Sequence, residues 1–400
     1  MQRSGPNLLP ILVALAIAQL VGWGTISLPA VIGEQFARDL GLGLPAVFAG
    51  TTVMLVVMGL TAPLIASSFV KHGARLVMAA GSLIAAPGFL FIAAATGPLL
   101  YYAGWVALGI AGAAMLSTAT YILLNEIAGV GARRPIGALM LVTGLASSLF
   151  WPITAALTGA FGWRTTLVIY SAASVLVCFP LYVFGLPPRE KPPVGGQTVQ
   201  THRATNSDPG RLPFLLLVAA IALHAFLSWG VGSIIIQLLK TMGVSDSWAL
   251  RIGSFLGVIQ VSARALDFVG GAHLSGLTTG LVASIVMPLG FVILLLGGPA
   301  DWAIGAFMLL YGGATGALAV ARATMPLVFF DAAAFARASS HIALPVNLAA
   351  AASPPLLVAV LTSFGTNAVL SVALACSLVA LALLLALARI HRKQTAVAAN

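Results

Sequence analysis

The chain has 400 residues, of which 60% are hydrophobic and only 7% charged, and its mean hydropathy is +1.07. This composition excludes an ordinary water-soluble protein, in which about a quarter of the residues are charged. The net charge of +10 is scattered over short loops rather than gathered on one face or arm, which argues against a nucleic-acid partner. The composition therefore predicts an integral membrane protein whose solvent is the lipid bilayer.

Apolar segments of about 20 residues or more, long enough to cross a bilayer, recur along the whole chain. Residues 1–7 lead directly into the first of them, which is too long for a signal peptide and is predicted to be retained. The segments lack the alternation of barrel strands, so the fold class is predicted to be all-α, with twelve transmembrane helices. We number the predicted spans 1 to 12: 9–32, 46–69, 77–97, 99–127, 135–160, 164–186, 213–239, 247–267, 277–297, 302–330, 340–363 and 366–388.

A polar stretch rich in proline and glycine, residues 187–212, divides the spans into two sets of six. It cannot bury enough apolar surface to offset the entropy of ordering, so it is predicted to be a water-exposed linker. The predicted domains are an N-terminal six-helix bundle, residues 1–186, and a C-terminal one, residues 213–400. Features that recur at similar spacing indicate an internal repeat with two pseudo-symmetric halves: Gly109, Pro152, Phe161-Gly162 and Trp23-Gly24 correspond to Gly312, Pro355, Phe364-Gly365 and Trp229-Gly230.

Lysine and arginine lie mainly in the loops on one side of the predicted membrane. By the positive-inside rule this side is cytoplasmic, together with the linker and both termini, and the protein is expected in the plasma (inner) membrane. The cytoplasmic set is Arg3, Lys71, Arg75, Arg133, Arg134, Arg189, Lys191, Arg203, Arg211, Arg337, Arg389, Arg392 and Lys393, against Arg38, Arg164, Lys240 and Arg251 on the other side.

The six-plus-six spans, the basic linker and the basic loop between spans 2 and 3 resemble the major facilitator superfamily of secondary transporters. The loop from Ala66 to Arg75 is similar to the family's gating motif, Gly-x-Leu-Ala-Asp-Arg-x-Gly-Arg-Arg. It keeps Lys71, Gly73 and Arg75, while Ala66 replaces the first glycine and Val70 replaces the acid. The resemblance implies a gating role for the three retained residues, and a mid-membrane binding site between two halves that rock alternately.

Two further stretches resemble bacterial members near the monocarboxylate and oxalate/formate branch of this superfamily. The first is Gly22-Trp23-Gly24 in span 1. The second is Tyr311-Gly312-Gly313, followed by the run from Ala321 to Pro326 in span 10.

Two residues inside the spans are the main candidates for substrate binding, because a charged or titratable group in hydrocarbon usually faces a cavity or a partner. His224 lies near the middle of span 7, where imidazole is suited to proton coupling; alternatively it is a neutral histidine that is hydrogen-bonded between helices. Arg322 lies in span 10, where its guanidinium is suited to clamping a carboxylate. Alternatively it pairs with a carbonyl or extends toward the membrane surface.

Gln260, Arg264 and Asp267 share one face of span 8, since they are four and three residues apart. Gln260 is a candidate for substrate binding, and the expected Arg264–Asp267 pair has a structural or gating role. Further polar residues in the spans are candidates for lining a cavity, with helix packing as the alternative for each: Gln19, Trp23, Tyr121, Trp151 and Asn347.

The sequence contains no HExxH, no CxxC and no GxxxxGK[ST], so it predicts no enzyme, no metal, no cofactor and no ATP-driven pump. Three hypotheses remain. The first is a proton-coupled symporter for a small organic anion, working as a monomer. The alternative is an efflux carrier for amphipathic drugs, metabolites or toxic oxyanions. The third is a membrane sensor or enzyme without net transport.

Overall fold

The computed structural model describes residues 8–128, 133–187, 211–270, 276–325 and 332–398. Within these ranges the regular structure is helical throughout, and eleven segments are long and apolar enough to cross a membrane. One of the eleven, Pro135–Gly185, has 51 residues. That is about 76 Å of helix, more than twice the ~30 Å hydrocarbon core. Gly162 interrupts it with φ 77° and ψ 160°, so it holds two crossings and the prediction of twelve helical spans is confirmed.

The chain divides into two compact units, Met1–Pro192 and Pro193–Asn400. Of the predicted linker, residues 188–210 lie outside the described part. The helices of the first unit are Leu8–Thr25, Leu28–Leu40, Leu44–Ala93, Pro98–Met115, Ser117–Ala128, Arg133–Thr143, Ala146–Ala173 and Phe179–Gly185, with a π-helical turn at Ser174–Cys178. Those of the second are Arg211–Thr241, Asp246–Gly270, Gly276–Gly297, Asp301–Thr324, Ala332–Phe364 and Thr366–Ala398.

Single glycines reverse the chain between three pairs of consecutive spans. Gly73 lies between spans 2 and 3, Gly162 between spans 5 and 6, and Gly365 between spans 11 and 12. Their φ angles are 79°, 77° and 81°, in the left-handed region that glycine adopts without a steric cost. Gly162 and Gly365 are the two glycines of the repeated Phe-Gly pair, so this part of the repeat has a backbone function in both halves.

The repeated glycines Gly109 and Gly312 each allow close contact with a neighbouring helix. A Cβ atom at Gly109 of span 4 would lie 2.7 Å from the Met54 carbonyl oxygen of span 2. One at Gly312 of span 10 would lie 2.8 Å from the Ile259 side chain of span 8. Small residues allow helices in lipid to approach this closely. The two halves therefore pack their second and fourth spans in the same way.

Large apolar side chains cover the outside of the helices. Phe184 is 82% exposed, Leu296 84% and Leu99 86%. Exposed apolar surface on this scale is incompatible with water and fits a lipid-facing surface.

An aspartate ties three spans of the first unit together at the end where span 1 terminates. Asp39 Oδ2 accepts a hydrogen bond from Trp163 Nε1 of span 6 at 2.6 Å and lies 3.7 Å from Arg164 Nη1. Arg164 Nη2 donates to the Ala95 carbonyl at the end of span 3 at 2.9 Å, and its guanidinium carbon is 4.1 Å from the Trp163 ring centroid. In the second unit, Lys240 and Asp246 form a 3.3 Å pair between the ends of spans 7 and 8, where the Asp246 side chain is 83% exposed.

Three spans that the sequence predicted as continuous are interrupted. Span 1 breaks between Thr25 and Leu28, before Pro29. Span 4 breaks at Leu116, which has extended backbone with φ −85° and ψ −160°. Span 5 breaks at Gly144 and Leu145, between Arg133–Thr143 and Ala146–Ala173. The breaks of spans 4 and 5 each lie about 12 residues, or about 18 Å, from the ends that connect these two spans, so both are at similar depth.

Candidate functional site

The break of span 4 brings two predicted site residues of span 1 together. Because the helix stops at Met115, its carbonyl loses the N–H of Ala119 as a partner. The fully buried Gln19 Nε2 donates to this carbonyl at 2.7 Å, and Tyr182 of span 6 donates to it through its hydroxyl at 3.2 Å. One turn along span 1, Trp23 Nε1 donates to Ser117 Oγ at 3.0 Å, just past the break. Gln19 and Trp23 therefore form hydrogen bonds on the two sides of the break in span 4, to Met115 and to Ser117.

Tyr121 lies four residues after Ser117, so it shares that face of the second helix of span 4 and is partly buried. A small cavity adjoins the break between spans 1, 3 and 4. Its lining includes Gly22, Thr25, Phe89 and Leu116 and is largely apolar.

Trp151 of span 5 is 5% exposed, and its indole nitrogen has no hydrogen-bond partner within the described residues. Ser148, three residues earlier, has a buried hydroxyl that is also without a partner there. Phe150, between them, packs on Gly24 of span 1, where a Cβ atom would collide with its ring. Trp151 is thus placed in the same unit as Gln19 and Trp23, with an unused donor.

In the second unit, Gln260 connects span 8 to span 10. Its Nε2 donates to Thr315 Oγ1 at 3.1 Å, and Thr315 donates to the Tyr311 carbonyl at 2.9 Å. The Tyr311 hydroxyl in turn donates to the Leu227 carbonyl of span 7 at 3.0 Å. The three spans are therefore joined by one polar chain, in which Thr315 and Tyr311 were not predicted as site residues.

Arg264 and Arg322 both lie beyond this polar chain toward the same end of spans 8 and 10. Arg264 is half-buried and Arg322 exposed. They follow Gln260 and Thr315 by four and seven residues, so their depths differ by only about 5 Å at 1.5 Å per residue. The side chain of Asp267, the predicted partner of Arg264, lies outside the described part of the chain. Asn347 of span 11 is exposed.

His224 is buried inside the second unit, between spans 7 and 9. Its Nε2 is 2.9 Å from Ser284 Oγ, and Ser284 Oγ donates to the Gly280 carbonyl at 2.6 Å. The only hydroxyl hydrogen of Ser284 is used by Gly280, so Nε2 of the imidazole must be the donor in this contact. His224 Nδ1 is then unprotonated, and within the described residues it has no hydrogen-bond partner. This contact between spans 7 and 9 agrees with the alternative prediction for His224, a neutral histidine that is hydrogen-bonded between helices.

The basic loop after span 2 turns at Gly73, whose positive φ makes the reversal between spans 2 and 3. Lys71 is exposed, while Arg75 is half-buried and its Nε has no partner within the described residues. The side chains of Ala66 and Val70 lie outside the described part. The loop therefore keeps the turn of the motif that it resembles.

Sequence reasoning missed Ser117 and Ser284, which complete these contacts, and Ser148, whose buried hydroxyl lies near Trp151 in the sequence of span 5. Serine and threonine in helices commonly bond to their own backbone one turn earlier, as Ser174 and Thr362 do here. No signal in the sequence separates those that reach another helix. Within the described residues no cluster of three or more His, Cys, Asp or Glu side chains forms a metal site.

Comparison with known proteins identifies relatives. The family model of the Major Facilitator Superfamily matches residues 12–313. A bacterial homologue of the human lysosomal transporter Spinster, in an inward-facing and unoccupied conformation, has a similar structure, with a TM-score of 0.73, 16% identity and 97% of each chain covered. The search of curated proteins found no match.

Two further solved structures share the fold. The nucleoside transporter NupG (D323A mutant) has a TM-score of 0.72 and 16% identity, covering 96% of this chain and 100% of its own. The human organic anion transporter MFSD10 (TETRAN) has a TM-score of 0.64 and 16% identity, covering 95% of this chain and 100% of its own. At these identities the likeness concerns the fold alone.

Proposed function

The chain belongs to the Major Facilitator Superfamily and is a multi-pass membrane transporter rather than an enzyme, and on that premise we propose that it carries a small organic anion by alternating access, coupled to protons. The solute binds near mid-membrane, where the polar residues described above lie. The branch of the superfamily that we propose is the one near the monocarboxylate and oxalate/formate carriers. Both termini are cytoplasmic, the membrane is the plasma (inner) membrane, and the working unit is a monomer.

The observation that carries this proposal is the pair of arginines on spans 8 and 10. These spans are in contact, since Gly316 of span 10 leaves no room for a Cβ atom against the Gln260 backbone. Arg264 and Arg322 lie at similar depth on them, and Asp267 is the single acid in that part of either helix. A guanidinium in hydrocarbon attracts a carboxylate with two parallel hydrogen bonds, which supports an anionic solute.

Proton coupling is proposed through His224. Ser284 holds Nε2 as the donor, so Nδ1 is the nitrogen that takes up the proton. Other elements that pack against span 7 also carry titratable or charged side chains, although span 9 has none and the side chain of His341 in span 11 lies outside the described part. In the spanning parts these side chains are Tyr311 and Arg322 on span 10, Arg264 on span 8 and Cys376 on span 12.

The test is uptake of radiolabelled lactate, oxalate and succinate into proteoliposomes with an imposed pH gradient. Arg322→Gln is expected to lower kcat/KM about 100-fold, since a hydrogen-bonded charge pair contributes about 1.5–3 kcal/mol and each 1.4 kcal/mol is tenfold. Arg251→Gln, an exposed arginine at the start of span 8, is the matched control and should keep wild-type uptake. Equal uptake by the two variants would remove Arg322 from the site.

In the same assay His224→Ala is expected to keep uptake at constant pH but to lose its stimulation by external acid. Unchanged acid stimulation rejects the coupling role. If none of the three anions moves, while the purified protein expels a lipophilic dye from vesicles, the efflux carrier replaces the proposed symporter.

A further inference from the structure

The second helix of span 5 begins in the middle of the membrane. The helix before it ends with bonds from Gly144 N to the Met140 carbonyl and from Leu145 N to the Val142 carbonyl. The next backbone bond is from Leu149 N to the Leu145 carbonyl at 3.0 Å. The residues between, from Ala146 to Ser148, form the first turn of a 28-residue helix. The N–H groups of a first turn have no acceptor within their own helix, and they carry the positive end of its dipole.

Two side-chain donors without partners lie at this turn. Trp151 is 5% exposed, and neither its Nε1 nor Ser148 Oγ has a hydrogen-bond partner within the described residues. Residues three apart share one helix face. Long and aromatic side chains in helices also point back toward the helix N-terminus, so the Trp151 indole covers the turn that contains Ser148. The indole and the Ser148 hydroxyl therefore lie on one face of this helix, next to its first-turn N–H groups.

These groups define the chemistry of what fits there. An indole N–H only donates, and the backbone N–H groups only donate, so the missing partner is an acceptor. The acidic side chains described in the first unit, Glu34 and Asp39, lie near the Leu40 end of span 1 rather than at mid-membrane. The protein therefore offers this turn no described negative charge. A helix N-terminus with additional donors favours a singly charged oxyanion, and a carboxylate presents two acceptor oxygens to it.

We infer that the first turn of the second helix of span 5, together with Ser148 and Trp151, is a subsite that binds a carboxylate of the transported anion. This inference rests on the proposed function, because it takes the solute to be an organic anion. It adds a neutral, donor-only anchor in the first unit, distinct from the arginines of the second. A water molecule in this position is the competing occupant, which the experiment separates.

The experiment follows the indole N–H directly. Protein labelled with ¹⁵N-tryptophan has seven indole resonances, and the one that disappears in Trp151→Phe belongs to Trp151. Titration with lactate is expected to shift this resonance, whereas lactamide, which lacks the carboxylate, should not. Trp151→Phe and Ser148→Ala should each weaken lactate binding about tenfold, as expected for the loss of one hydrogen bond to a charged group.

Trp302→Phe, an exposed tryptophan of span 10, and Ser147→Ala, the neighbouring serine, are the matched controls. Each variant is compared with the wild type by thermal unfolding in detergent. If Trp151→Phe does not fold, lactate binding by Ser148→Ala is the deciding measurement. If the Trp151 resonance does not shift on addition of lactate although the protein transports lactate, water is the occupant of the turn. This result overturns the subsite and leaves the proposed function intact. Absence of carboxylate transport by the wild type overturns both.

Discussion

Spans 4 and 5 of the first half and their counterparts in the second half, spans 10 and 11, differ where the repeat would make them alike. Span 4 breaks at Leu116 and span 5 at Gly144 and Leu145, at similar depth. Span 10 runs unbroken over Asp301–Thr324, and span 11 over Ala332–Phe364 although it contains three prolines. The glycine contacts that position these helices are nevertheless repeated. The halves thus share their glycine contacts between helices. The first half differs by helix ends within spans 4 and 5, and the second by charged side chains within spans 8 and 10.

The largest expected effect tests the shared packing. Gly109→Val and Gly312→Val each place a side chain against a neighbouring helix, at the Met54 carbonyl and at Ile259, and should lower stability by about 3 kcal/mol. Gly59→Val and Gly313→Val are matched controls, because a Cβ atom there meets nothing within 4 Å. The measurement is the midpoint of thermal unfolding in detergent. Equal midpoints for Gly312→Val and Gly313→Val would contradict the proposed packing role.

A smaller effect separates the charged ends of the two halves. Asp39→Ala leaves the buried Trp163 Nε1 without its acceptor and should cost about 1–3 kcal/mol. Asp246→Ala removes a pair with Lys240 in which the Asp246 side chain is 83% exposed, and it should cost about 0–1 kcal/mol. Unfolding of both variants in a mild denaturant, at low and at high salt, gives the difference. If Asp246→Ala is the more damaging change, the Asp39 cluster does not stabilise the first half.

The smallest effect concerns the break of span 4. Gln19→Leu and Tyr182→Phe each remove one of two donors to the Met115 carbonyl, and each should cost about 1 kcal/mol. The double variant leaves this carbonyl buried and unpaired, so its cost should exceed the sum. Tyr311→Phe is the comparison in the second half, because its acceptor, the Leu227 carbonyl, lies inside a continuous helix. Strict additivity of Gln19→Leu and Tyr182→Phe would show that the break does not depend on them.

The sequence was sufficient for the number of spans and for the equivalence of Gly109 with Gly312, because apolar length and small residues act locally. It was not sufficient for the breaks. Proline was the available signal, yet Pro345, Pro354 and Pro355 lie within one unbroken helix, whereas neither Leu116 nor Leu145 adjoins a proline. At the break at Leu116, the freed Met115 carbonyl instead accepts hydrogen bonds from Gln19 and Tyr182, which are distant in the chain.

For the candidate site too, the sequence predicted some features and not others. Polarity within an apolar span selected Gln19, Trp23, Trp151 and Gln260, and their part in a binding site stays a prediction. The structure shows Gln19 and Trp23 at the break of span 4 and Gln260 between spans 8 and 10. Polarity could not reveal their partners, since a serine that reaches across to another helix looks like one that bonds to its own backbone. His224 was selected for its chemistry, and its interhelical contact with Ser284 became visible only in the structure.

The one-residue turns at Gly73, Gly162 and Gly365 bear on how the chain enters the bilayer during synthesis. Successive Cα atoms are only about 3.8 Å apart, so two helices joined through one glycine have no slack between them. We therefore expect the two helices of each pair to enter the bilayer together, as one hairpin.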